Sequence, residues 1–300
     1  MRSILGLVLT VILAATAHAA GPELIWEAKG LAQPESVAYD PVTDVLYVSN
    51  INGAVMQKDG NGFIARLKPD GTILERSWVT GLNSPAGIAL HDRKLYVADV
   101  DELVEINAAA GSIAKRYKAK GAIFLNDVAV AEDGTVYVSD TPMNTIWRLK
   151  DGVFEPWLAN DDLNGPNGLV VQGDKLIVAS FGRMPSGGQK QELAGLLVVN
   201  LEDQTIQPLG KGGPVGNLDG LQPLTAGDYL ATDWAKGVLY GIDANGKADQ
   251  LIDLNQGSAD LAYFPDKNMV LIPMMLDNTL AAYRLSVPAP KEPAKEKKKK

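Results

Sequence analysis

The sequence predicts an all-β fold, a six-bladed β-propeller with an N-terminal strand closing the last blade. Three observations carry that prediction. A hairpin-like unit recurs along the chain, most plainly at residues 165–181, where a Gly-Pro turn and a polar residue precede two apolar runs split by Gly173-Asp174. Copies begin at Pro34, Ser84, Phe124, Gly165, Asn217 and Ser258, and aligned on their first apolar residue (Val37, Ile88, Val128, Leu169, Leu221, Leu261) they step by 51, 40, 41, 52 and 40 residues. That period, with several strands in each, is the spacing of propeller blades. The third observation is that the two ends of the chain complement each other, as the elements show when taken in order.

Residues 1–19 hold Arg2, an apolar run over 4–15 and the small-x-small site Ala17-His18-Ala19, which predicts a cleavable signal peptide and a periplasmic or secreted protein. The apolar run is too short to span a bilayer, so no membrane span is expected. The propeller is assigned to residues 20–287. Its first element, Glu23–Lys29, is a strand with no hairpin partner nearby, whereas the sixth repeat offers only three strands, at 260–264, 269–273 and 279–285. Other repeats show a fourth, outer strand, as at 73–79, 113–119 and 153–158. The N-terminal strand is therefore expected to complete blade 6 and remove an exposed edge. Strand direction alternates within a blade, so the starts of the inner strands and the loops between second and third strands share one face. Those loops hold Asn50 and Asn52, Asp99, residues 140–144, 181–195, 233–236 and 274–277, and are expected to wall one cavity. The stretches 56–62 and 184–195 account for much of the extra length of blades 1 and 4, as binding edges or as tolerated insertions. Residues 288–300, PAPKEPAKEKKKK, cannot build a core and read as a disordered Lys-rich tail.

Composition narrows the chemistry. Cysteine is absent, which excludes thiol catalysis and thiolate metal sites, and of two histidines only His91 lies outside the signal segment, on a hairpin turn, so neither a Ser-His-Asp triad nor a His-rich zinc site is expected. Between residues 20 and 287 there are 21 basic and 34 acidic side chains, a net charge of −13 that argues against nucleic acid as a partner.

The residue two places before each anchor is Glu35, Ala86, Asn126, Asn167, Asp219 and Ala259. Four of these six offer an oxygen, and rotation about a propeller axis would bring them to one axial spot. Oxygen donors without sulfur or imidazole suit a hard divalent cation, calcium first. The competing reading is that Asn126-Asp127, Asn167-Gly168 and Asp219-Gly220 are simply turn dipeptides.

ESVAYDPVTDVLYV from Glu35, LNDVAVAEDGTVYVSD from Leu125, PNGLVV from Pro166 and LDGL from Leu218 resemble the successive blade motifs of the regucalcin, gluconolactonase and luciferin-regenerating family of six-bladed propellers. The resemblance covers all six repeats. It implies one divalent metal, calcium or zinc, held by Glu35, Asn167 and Asp219, with Asn126 contacting the metal or the substrate. It also implies hydrolysis of lactones with Asp219 as base, although a metal-bound carboxylate is a weak base, which leaves a metal-bound hydroxide as the alternative nucleophile. Two positions depart from the family pattern. The arginine that binds sugar hydroxyls is here Phe124, and the usual Asn-Asp-Gly is Asn126-Asp127-Val128. With Phe181, Met184, Trp234, Met274 and Met275 on the expected walls, the sequence points to a small-molecule lactone or ester less polar than a sugar. Arg183 is the candidate for a substrate carboxylate. The rival function is a non-enzymatic propeller with a structural axial metal, binding a ligand or an unspecified protein.

Overall fold

The computed structural model describes residues 22–183, 190–225 and 227–285. The readings of a signal peptide over 1–19 and of a disordered tail over 288–300 lie outside them, as does Met184. The described chain is all-β, with six four-stranded antiparallel sheets arranged as the blades of a propeller. Inner strands are Pro34–Asp40, Pro85–His91, Leu125–Val130, Pro166–Gln172, Leu218–Thr225 and Ala262–Phe264. The second strands that follow are the most buried segments of the molecule, as Val45–Asn50 and Met269–Met274 illustrate, because each is covered on both faces by neighbouring blades. Outer strands such as Ser112–Lys118 alternate toward solvent.

Blade 6 is completed from the other end of the chain. Glu23–Lys29 pairs antiparallel with Thr279–Arg284, from Glu23 opposite Arg284 to Lys29 opposite Thr279. The same closure is packed as well as hydrogen-bonded, since Ala28 and Leu31 are buried in one cluster with Val37, Leu46 and Phe63 of blade 1 and Phe264, Leu271 and Leu280 of blade 6. Apolar clusters of this kind fill the wedge between each pair of successive blades, which is why every repeat carries two apolar runs.

One irregularity recurs and positions everything that follows. In blades 1 to 5 the inner strand starts in register with the end of the second strand, as Pro34 opposite Asn50, then slips one residue, so that Val37 faces Val48. The same slip lies between Pro85 and Ile88, Leu125 and Val128, Pro166 and Leu169, and Leu218 and Leu221. Each slip is a β-bulge of the kind that re-aims side chains. Its two residues are the pair just before the anchor: Glu35-Ser36, Ala86-Gly87, Asn126-Asp127, Asn167-Gly168 and Asp219-Gly220. These dipeptides therefore sit inside strands, and the turn reading of them is set aside.

Candidate functional site

The bulges turn Glu35, Asn126, Asn167 and Asp219 into one cavity of about 280 Å³ at the face where the inner strands begin. Its walls are Ile51, Val55, Met56, Phe124, Thr141, Phe181, Trp234 and Met275. The structure thus gathers eight of the residues singled out in sequence, namely the four oxygen donors with Phe124, Phe181, Trp234 and Met275. Arg183 is not among the lining residues. Its backbone N–H donates to Asn164 Oδ1 and its guanidinium lies 3.9 Å from Asp161, so a substrate carboxylate loses its expected partner.

The loop expectation needs a second correction. Asn50, Asp99, Asp140 and Asp233 end the second strands but face away from the cavity, accepting hydrogen bonds from the chain as it enters the blade. Asp99 takes the Asn83 and Ser84 N–H groups, Asp140 those of Ile123 and Phe124, and Asn50 that of Ala32. The entering chain would otherwise leave these buried amides unpaired. The wall is made instead by the next residue along, as with Ile51, Thr141, Phe181, Trp234 and Met275. Met274 belongs to the core between blades 5 and 6.

A second set of hydroxyls holds the bulges in shape. Ser49, Ser139 and Thr232 accept the N–H of the second bulge residue in blades 1, 3 and 5, from Ser36, Asp127 and Gly220, each at 2.9 Å. Ser139 then donates to the Asn167 carbonyl at 2.8 Å, tying one site residue's backbone to the blade before it. Thr141 lies in the loop 140–144 expected on the wall, but the sequence reading did not single it out. Its hydroxyl donates to the Pro166 carbonyl at 2.7 Å and so must accept from Asn126 Nδ2 at 3.1 Å, which fixes the Asn126 amide with Oδ1 toward the cavity. Its signal was the Ser-Asp-Thr run at the end of a second strand.

Three buried oxygens in this cavity, Glu35 Oε2, Asn126 Oδ1 and Asp219 Oδ1, have no hydrogen-bond partner among the described residues. Native proteins rarely leave such atoms unsatisfied. Below them the carboxylates of Asp127 and Asp260 come within electrostatic reach, so the axis carries four buried acids. Burial raises the Glu35 carboxyl well above its ordinary value, with the charges of Asp219, Asp260 and Asp127 adding to the effect. Asp219 is pushed up to about 8 by burial and then by Asp260, against a hydrogen bond from Asn167 that favours its ionised form. Burial likewise lifts Asp260 to about 6, opposed by the Ser36 hydroxyl, and raises Asp127. Among the described residues none of the four acids has an ion-pair partner.

The donor set fits a hard cation in its chemistry, with two carboxylates, two amide oxygens and no sulfur or imidazole. No group of three or more His, Cys, Asp or Glu suited to a metal exists among the described residues, so a cation here depends on the amides of Asn126 and Asn167. A larger cavity, about 650 Å³, opens on the opposite face around the far halves of the inner strands and reaches Asp127 and Asp260. The oxygens of those two acids already accept hydrogen bonds, Asp127 from Val128 and Leu169, Asp260 from Ser36 and Leu261. The smaller cavity, with its unpaired oxygens, is the chemically open one.

No family model matches this sequence, and no curated protein matches it either. Solved structures do. A gluconolactonase from Xanthomonas campestris is 17% identical, the match covering 88% of this chain and 89% of the other at a TM-score of 0.63. A calcium-binding protein, regucalcin, from Agrobacterium tumefaciens is 15% identical over 89% of this chain and 94% of its own, at 0.64. A virginiamycin B lyase from Staphylococcus aureus is 14% identical over 88% and 99%, at 0.58. The fold is thus shared with a gluconolactonase, a calcium-binding regucalcin and a lyase, and at these identities the likeness is one of fold alone, since one fold hosts many reactions.

Proposed function

We propose that this chain is an exported hydrolase of lactones or related esters, a member of the gluconolactonase and regucalcin group, that works with one divalent cation at the axial site, calcium before zinc. The observation that carries the reading is the trio of buried, unpartnered oxygens on Glu35, Asn126 and Asp219 within a column of acids that has no ion-pair partner among the described residues. Buried like charges of this kind persist when a cation or protons neutralise them. Export rests on the segment at residues 1–19.

When bound, the cation would act as a Lewis acid toward the acyl carbonyl. Glu35, Asn126, Asn167 and Asp219 would hold it. The chain's own contribution is orientation and exclusion of water. Thr141 keeps the Asn126 oxygen turned inward, and the cavity walls Phe124, Phe181, Trp234 and Met275 would surround the acyl group of the substrate. Asp219 would take a proton from the attacking water, and the Asn167 hydrogen bond favours the ionised form that this needs.

The test is a panel of lactones and esters offered to metal-stripped protein with calcium, zinc, manganese or magnesium restored, alongside Asp219→Ala. The expected result is hydrolysis that returns with one cation, and loss of both cation binding and turnover in the variant. An Asp219→Ala protein that binds calcium and zinc as tightly as the parent and hydrolyses at the parent's rate would defeat the proposal.

A further inference from the structure

We infer that the ligand of this site is amphipathic, with a lactone or ester head that reaches the axial oxygens and a hydrocarbon chain that lies across the lip of the cavity. The inference deepens the reading above and rests on it for the identity of the head group. The cavity itself argues for a small, weakly polar head. At about 280 Å³ it falls at the lower edge of the roughly 300–1000 Å³ typical of clefts that enclose whole drug-sized ligands. Apart from the Trp234 indole N–H, its polar side chains are the four donors of the floor and Thr141, whose hydroxyl is already committed to Pro166 and Asn126. No lysine or arginine lines it among the described residues, so neither an anionic substituent nor a ring of hydroxyls finds partners on the walls.

The lip argues for the chain. Six exposed large apolar side chains, Val55, Met56, Ile123, Met143, Leu193 and Leu276, stand on loops of this one face. Val55 and Met56 belong to the wall itself, Ile123 adjoins Phe124, and Leu276 adjoins Met275. Leu193 follows Glu192, whose carbonyl shares the Asn217 amide with the carbonyl of Phe181. Of the remaining exposed apolar residues, Leu24, Ile25, Leu74 and Val153 are scattered on outer strands and Val42 stands alone on the first hairpin turn of blade 1, as is normal for any surface. A concentration around one mouth, continuous with an apolar wall, marks a place where apolar ligand surface is received.

Met56 adds a constructional sign. It holds φ at +67°, a left-handed conformation that a bulky side chain seldom adopts. Its N–H donates to Ser84 Oγ at 3.3 Å, and Lys58 two residues on pairs with Asp101 of blade 2. The loop is thus pinned where Met56 lines the mouth.

The experiment uses full-length, cation-loaded protein and a series of γ-lactones that differ only in a side chain from methyl to octyl, with gluconolactone as the polar comparison. The matching γ-lactams, which resist hydrolysis, give binding constants by calorimetry whether or not turnover occurs. Affinity is expected to rise by up to about fourfold per added methylene, the fold-change equivalent to about 0.8 kcal/mol per buried CH₂, and then to level off once the chain passes the lip. Ile123→Asp and Leu276→Asp, both at exposed positions, are expected to flatten the later part of the series. Affinity that does not depend on chain length, or gluconolactone bound as well as the octyl lactone, overturns the inference. If the lactams bind with the expected slope but no lactone is hydrolysed with any cation, the hydrolase reading fails and the amphipathic ligand stands. If short and long lactones are hydrolysed with equal efficiency, the hydrolase reading stands and the inference falls.

Discussion

At the scale of single residues, what distinguishes this site is how little freedom its oxygens have. Asn126 could present either end of its amide to the cavity, and Thr141 decides which. Thr141→Val removes that anchor, so cation affinity and turnover are expected to fall by about 10–100-fold, the usual effect of losing a group that orients a ligand. Thr141→Ser should recover most of the loss, which a merely steric role for the methyl group would not explain, and calcium titration of both variants is the check. The acids make a second prediction. The folded protein raises the carboxyls of Asp219 to about 8 and Asp260 to about 6, and those of Glu35 and Asp127 also rise, so without cation the folded state binds more protons than the unfolded chain above about pH 4. Stability then falls as pH rises from about 4 to about 8. A cation bound as proposed would replace those protons and is expected to reverse the slope. Thermal unfolding in chelator and in calcium across that range should diverge, with the added stabilisation by calcium growing toward pH 8. Parallel curves would remove the acid column from the account.

At the scale of elements, the repeated bulge is the device that aims Glu35, Asn126, Asn167 and Asp219 into the cavity, and it constrains its neighbours. Successive bulges approach so closely that a Cβ on Gly168 would lie 2.3 Å from the Asp219 carbonyl oxygen, and one on Gly220 would lie 2.6 Å from the Asp260 Cα. Gly168→Ala must therefore displace the backbone of a proposed ligand. It should cost about 1–3 kcal/mol of stability, in the range of overpacked core sites, and weaken calcium binding although it alters no ligand atom; denaturant unfolding and calcium titration on the same sample measure both. The recurring strands were legible because a two-residue period and a repeat of 40 to 52 residues are properties of sequence alone. The convergence of Glu35, Asn126, Asn167 and Asp219 followed from the repeat in the same way. What could not be read was the bulge, since an Asn-Gly or Asp-Gly pair has the same composition in a turn and inside a kinked strand. For the same reason Asp99 and Asp140 were expected on the cavity wall. Only the observed register shows that the one-residue slip leaves them facing the entering chain.

At the scale of the whole molecule, the site exists only if the ring is closed, because its donors come from four different blades and each depends on the next for its angle. Two seams make the closure between blades 6 and 1. On the inside, the Asp260 N–H donates to the Glu35 carbonyl at 3.0 Å and the Ser36 hydroxyl donates to Asp260 at 2.5 Å, so the last blade grips the bulge that bears the first oxygen donor. On the outside, Glu23–Lys29 pairs with Thr279–Arg284, and Arg284 Nη1 donates to Glu23 at 2.5 Å. That ion pair is exposed and contributes little. The strand pairing and the burial of Ala28 beside Leu280 and Ala282 are what hold the outer seam. Removing residues 1–29 would strip those backbone partners from Thr279–Arg284, expose an apolar edge and leave the inner seam to hold the ring alone. The expected outcome is a lower unfolding temperature, a tendency to associate through the bare edge, and weakened calcium binding even though every proposed ligand remains. Light scattering, thermal unfolding and calcium titration, run against a protein that begins at residue 20, test the three together. A truncated chain that stays monomeric and binds calcium as the longer one does would show that the Asp260–Ser36–Glu35 seam suffices, and that the N-terminal strand contributes nothing to the site.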